Sequence, residues 1–380
     1  MSATYVLSDV GQPAPKSTTL PAVSNGAPAS PAGEVGHSDS IWCAKWARKA
    51  GGGEIVATAG ADHSIKLWDP QTPTAPVRTI RPRKALGVVG LDFDKSEQGA
   101  TFLVSSTLDS VITRWSVDGE EEGRKELGPA VSWDVSLHPR LEQMATAGDK
   151  GKVTIMSSAK DNFGEVLATL EATGTFGTAV EYASPTLALR DPRSKGGNLL
   201  AVASDKGYVS LFDVESRTLV TSFPAHTAPI RSITFTSNLL ITGSDDKRIN
   251  VFDLRALTSS SSGHGHDGAS QNGLGGGRRG QVASLGGHEG WVVKVEARND
   301  RLLASGSSDG TIKLWDLSAP SLALATLRDH TADVWAIAFA PEPLTGNVIE
   351  GLGGAAAGLG GARMCSAGED GRLRWWRGGG

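Results

Sequence analysis

Three residue types that could do chemistry together recur along this 380-residue chain: His37, Thr58 and Asp62; His288, Ser305 and Asp309; and His330, Ser366 and Asp370. Histidine, hydroxyl and carboxylate are the parts of a hydrolytic triad, in which the histidine takes the nucleophile's proton and the acid orients the histidine. Such chemistry needs one set at one accessible place. Here the sets repeat in register, and an aromatic residue, Trp68, Trp315 or Trp376, follows each aspartate by the same interval. Repetition of that kind points to a structural duty in each repeat, so no enzymatic activity is expected.

The elements that carry these residues are legible around "GSSDGTIKLWDLS" (306–318). Asp309-Gly310 is a hairpin turn signal, and the alternation of Ile312 and Leu314 after it is the mark of a strand. The pattern returns with Asp62 and Trp68, Asp109 and Trp115, Asp246 and Phe252, and Asp370 and Trp376. Two weaker copies place Lys150 before Met156 and Lys206 before Phe212. Upstream of four copies stand His37, His226, His288 and His330, each followed by two apolar strands such as "LLASGS" (302–307). Each unit therefore reads as a four-stranded antiparallel blade, and the blades number seven. Successive closing residues lie about 40 apart where nothing intervenes, which suits one blade per repeat. Blades two to four lack the histidine, with Lys84 at one such position, and should be less rigid.

The spacing of GH, S/T-x-x-x-D and W or WD resembles the WD-repeat family of β-propellers. The resemblance implies an all-β, seven-bladed WD-repeat propeller over residues 1–380 as one domain. It also implies a buried hydrogen-bond chain in each blade: His37, Thr58, Asp62 and Trp68; His288, Ser305, Asp309 and Trp315; His330, Ser366, Asp370 and Trp376. The last blade lacks an outer strand after Trp376, and "TYVLSDV" (4–10) is β-prone. Thr4 to Ser8 is therefore expected to supply that strand and close the ring. Residues 11–36 read as a flexible Pro/Ala/Ser linker. Three tracts, 186–197, 256–280 and 342–362, read as disordered insertions on one face, called the bottom, because Gly/Ser-rich chain buries too little apolar surface to order itself.

A net charge of -4 argues against a nucleic-acid binder that works through a basic surface. Cys43 and Cys365 fall in strand patterns and read as reduced core thiols. No apolar run approaches membrane-spanning length, and no secretory leader pattern opens the chain, so an intracellular protein without a membrane partner is expected. "HGHD" (264–267) is too small for a preorganised metal site, and "GLGGGRRG" lacks the strand-to-helix setting of a phosphate loop. Neither metal nor cofactor is expected.

The opposite, top face carries the functional signal. Aligned first strands place Trp42, Val89, Trp133, Thr178, Arg231, Val293 and Trp335 at the mouth of the channel. Next to the turns lie Ala61, Leu108, Asp149, Asp205, Asp245, Ser308 and Glu369. Indoles beside carboxylates (Asp149, Asp205, Asp245, Glu369) would anchor a peptide and pair with an arginine. Some of these indoles could equally fill gaps between blades.

"HSDSIWCAKW", "ALGVVGLDF", "GPAVSWDVSLHP", "AHTAPIRSITF", "GHEGWVVKV" and "DHTADVWAIAF" together resemble the family of small WD-repeat subunits of the superkiller complex. That resemblance implies a scaffold that binds a tetratricopeptide-repeat protein and a DExH-box RNA helicase, supporting exosome-dependent messenger RNA decay. It implies cytoplasmic and nuclear localisation, with nuclear roles in the meiotic double-strand-break machinery and in transcription elongation. It also implies recognition of partner segments with an arginine and a hydrophobic residue on the top face. Two other classes remain open: a substrate receptor of a ubiquitin ligase or histone-tail reader, and an enzyme with its site in the channel.

Overall fold

Leu302–Ser307 is buried at every position, which a strand with one wet face cannot be. Leu302 and Ala304 pack toward Ile337, Phe339 and Trp376, whereas Leu303 points the other way, toward Ile241 and Val251. The same division recurs at every boundary between neighbouring sheets. The core is thus seven apolar slabs, one between each pair of blades, and the closing residues Trp68, Trp115, Met156, Phe212, Phe252, Trp315 and Trp376 each pack toward the preceding blade.

The computed structural model describes residues 5–8, 36–83, 86–128, 131–183, 199–258, 280–320, 322–342 and 363–378. They form seven four-stranded antiparallel sheets. The inner strands are Ile41–Arg48, Val88–Phe93, Asp134–Leu137, Gly177–Tyr182, Ile230–Phe235, Val292–Ala297 and Ala336–Phe339. Each neighbours the next and the last neighbours the first, closing a ring. Tyr5–Ser8 pairs with Leu373–Gly378, Tyr5 opposite Gly378 and Ser8 opposite Trp375, and so is the outer strand of blade seven. The strand begins one residue after the expected Thr4.

An inner strand is also an edge, and its free backbone groups need partners. The preceding blade supplies several. Asp92 accepts the Leu137 N–H at 2.8 Å, Asp134 accepts that of Val180 at 3.0 Å, and Ser136 accepts that of Tyr182 at 3.1 Å. The Ser232 hydroxyl donates to the Val295 carbonyl at 3.3 Å. On the bottom side Arg363 clasps Glu54 with two bonds of 2.8 and 2.6 Å, tying blade seven to blade one.

The residue after each turn aspartate, or after the lysine in its place, has a left-handed φ between 58° and 77°: His63, Ser110, Gly151, Gly207, Lys247, Gly310 and Gly371. Glycine takes that conformation without steric cost; the other three residues do not.

The expected insertions need narrower bounds. Residues 256–258 belong to a short helix, Leu254–Thr258, because Leu254 and Leu257 share one face and bury it in the slab between blades four and five. The Asp253 N–H donates to the Gly280 carbonyl, so Gly280 also belongs to the blade. Glu342 is likewise placed, its carbonyl accepting Arg48 at 2.8 Å. Residues 11–35, 184–198, 259–279 and 343–362 lie outside the described residues, and with them the 186–197 tract, the HGHD fragment and Lys84.

Candidate partner-binding site

The repeated polar sets are closed hydrogen-bond chains. In blade one, the Trp68 indole N–H donates to Thr58 Oγ1 at 2.8 Å, Thr58 Oγ1 lies 2.7 Å from His37 Nε2, and His37 Nδ1 lies 2.8 Å from Asp62. Blade six repeats this with Trp315, Ser305, His288 and Asp309 at 2.9, 2.8 and 2.9 Å. Blade seven does so with Trp376, Ser366, His330 and Asp370 at 2.8, 2.8 and 3.0 Å. In blades one and six, indole can only donate and carboxylate only accept, so the direction is fixed: the hydroxyl gives its proton to Nε2, and Nδ1–H points at the aspartate. Burial alone would raise Asp62, Asp309 and Asp370, but the histidine bonds hold all three well below the usual carboxylate range. Each hydroxyl is fully buried and already engaged, so none is presented to a substrate.

Blade five keeps His226, Thr242 and Asp246 at 2.8 and 2.9 Å, but Phe252 brings no N–H to the chain. Blade two keeps only the indole end, with Trp115 donating to Ser105 at 2.9 Å.

At the top, the seven first-strand positions converge. Trp42, Val89, Thr178, Arg231 and Val293 are the residues skipped where the inner strand bulges against its neighbour. Trp133 and Trp335 immediately precede their strands. A bulge re-aims its extra side chain. The five bulges and the two tryptophans before strands bring one residue per blade to a common place, and all seven positions line one cavity of about 400 Å³. Trp42 also does packing work: its ring lies so close to Gly87 that a Cβ there would overlap it. Trp133 is exposed and meets Phe176 edge-on at 5.6 Å.

The floor is charged. Lys45 lies 3.8 Å from Asp92 and 3.9 Å from Glu181; Lys95 lies 3.0 and 3.4 Å from the same two carboxylates. Blades one and two thus meet blade four across the channel. Burial alone would lower Lys45, but Glu181 and Asp92 raise it well above its usual value. Asp134, which also lines the cavity, is pushed up to about 6 by burial despite its bond from the Val180 N–H. Burial also pushes the Cys43 thiol up to about 12, which leaves it a poor nucleophile. These floor residues escaped the sequence reading, although a lysine, aspartate or glutamate interrupting an otherwise apolar inner strand was the available signal.

Two of the expected carboxylates are engaged within the protein. Asp245 is clasped by Arg231 through two bonds of 2.9 and 2.7 Å, and Asp205 caps Thr175 and Phe176 of the preceding loop. Asp149 has Lys150 at 3.7 Å. None of the three lines the cavity, nor does Glu369. Asp205 and Asp245 hold a loop and a neighbouring side chain in place, a demand that spacing in one strand does not reveal. Glu369 lies beside Asp333, whose carboxyl is raised by burial and by the Glu369 charge. A wider cleft of about 780 Å³ opens on the boundary of blades one and two, lined by residues including Arg78 and Glu54, which are taken by Glu120 and Arg363.

Four stretches, 31–69, 217–253, 279–316 and 322–377, match the family described as WD domain, G-beta repeat. They end in the four blades that carry the histidine. From the second onward, each stretch contains the outer strand of one blade and the three inner strands of the next. The WD repeat-containing protein SL1-17 of Schistosoma mansoni is 27% identical over 58% of this chain and 68% of its own length. The WD repeat-containing protein VIP3 of Arabidopsis thaliana is 28% identical over 53% of this chain and 62% of its own. A DDB1- and CUL4-associated factor 10 from Danio rerio is 35% identical over 32% of this chain, but the match covers only 21% of that protein. With seven sheets in a closed ring and four stretches that match WD repeats, the chain is a seven-bladed β-propeller that carries WD repeats.

Proposed function

We propose that this chain is a non-enzymatic scaffold that holds extended segments of protein partners at the mouth of its channel, as the WD-repeat subunit of a superkiller-type assembly. The observation that carries the reading is the convergence of seven strand-start residues, three of them tryptophans, on one cavity. Concave, aromatic-lined sites with a few fixed polar groups are where binding energy concentrates. The partners are a tetratricopeptide-repeat protein and a DExH-box RNA helicase, the process is exosome-dependent messenger RNA decay, and the location is cytoplasmic with a nuclear fraction. A nuclear role in meiotic double-strand-break formation or transcription elongation belongs to the same reading. SL1-17 and VIP3, aligned over 58% and 53% of the chain, support a likeness to WD-repeat proteins over that share.

The match to a DDB1- and CUL4-associated factor favours a second reading, a substrate receptor of a ubiquitin ligase that uses the same mouth. Affinity purification of the full chain, beside a Trp133→Ala/Trp335→Ala double variant, separates the two. Helicase and tetratricopeptide-repeat subunits recovered with the parent and lost with the variant support the first. Cullin adaptors would support the second, and partners retained in full by the variant would exclude the mouth.

A further inference from the structure

Trp291 lies two residues before Val293 and, at 47% exposure, is the most exposed indole among the described residues. Its backbone is nevertheless pinned. The Trp291 N–H donates to Ser308 Oγ at 2.8 Å, and its carbonyl accepts the Ser308 N–H at 3.0 Å. A Cβ at Gly290 would come within 2.5 Å of the same Oγ, so the approach admits only glycine. The Arg231 guanidinium lies 5.9 Å from the ring centre and backs the indole from blade five. Because Arg231 is already forked onto Asp245, the two charges cancel and neither is offered outward. Arg231 and Val293 also line the cavity, so the indole is a fixed apolar ledge continuous with the mouth.

We propose that Trp291 is a second anchor for the partner segment, taking an uncharged apolar side chain where the segment leaves the cavity over the boundary of blades five and six. The inference rests on the mouth being the docking site. An apolar or aromatic side chain laid on the ring removes area from water and adds ring contact. A charged one would find the nearest pair already closed and lose its hydration for little return. The occupant is therefore a protein segment with two apolar anchors, the first in the cavity and the second on Trp291.

Random peptides displayed on phage and selected on the full chain provide the probe. Selected peptides share two apolar positions. Trp291→Ala weakens them about tenfold, as for an aromatic hot spot, whereas Trp291→Phe retains most of the affinity and both variants melt with the parent. Replacing the peptide's second apolar residue by aspartate costs the parent a similar factor but costs Trp291→Ala nothing further, the signature of a direct pair. If Trp291→Ala binds as tightly as the parent while Trp335→Ala does not, the second anchor is wrong and the mouth stands. If Trp133→Ala and Trp335→Ala also bind in full, or no peptide is enriched on the parent, the mouth itself fails and takes the second anchor with it. A dimer of the chain that Trp291→Ala abolishes would assign the ledge to a second copy and overturn the proposal.

Discussion

At Thr58 a single hydroxyl accepts from Trp68 and serves His37, so its removal strands two buried nitrogens. At Thr242 the hydroxyl meets His226 at 2.8 Å and the Asn250 carbonyl at 3.3 Å but no indole, because Phe252 has no donor, so its removal strands one side-chain nitrogen. A stranded buried polar group costs about 1–3 kcal/mol. Thr58→Ala should therefore destabilise more than Thr242→Ala, by roughly the cost of one such group. Chemical denaturation of both variants measures the difference, and equal losses would mean that the indole bond contributes nothing. These chains were legible because their members repeat at fixed spacing. Trp291 was not: its setting depends on Ser308 across the sheet and Arg231 in the preceding blade, neither of which is near it in sequence.

Among elements, the turn after each second strand demands a left-handed residue, and blades one and five supply His63 and Lys247. Both are exposed, and no side-chain bond holds either in place among the described residues. His63→Gly and Lys247→Gly remove a steric cost on the order of 1 kcal/mol each and should raise the melting temperature. A fall on thermal denaturation would show that the freedom glycine adds to the unfolded chain outweighs the relieved strain. The strands themselves were readable from apolar runs and turn residues. The bulges at Trp42, Val89, Thr178, Arg231 and Val293 were readable only as aligned positions, since a bulge is a mismatch between two strands and leaves no mark in either alone. Residues 256–258 of the helix Leu254–Thr258 were taken for the start of an insertion because five residues are too few to show a period.

For the whole molecule, ring closure by Tyr5–Ser8 covers the outer edge of Leu373–Gly378. Deleting residues 1–10 should lower the melting temperature by about 5 °C or more; an unchanged melting curve would refute the closure. The count of seven blades followed from repeats. The unavailability of Asp205 and Asp245 did not, because it is decided between neighbouring blades and loops.

The pairing of Tyr5 with Gly378 also sets a timetable. Tyr5–Ser8 must wait for Leu373–Gly378 to be made, and among the described residues no strand pairing spans a longer stretch of chain. Closing so long a loop is entropically slow. Blades one to six can therefore assemble during translation while blade seven stays open on one side, and in that interval the nascent chain exposes an unpaired strand that a chaperone, or another nascent copy, could occupy.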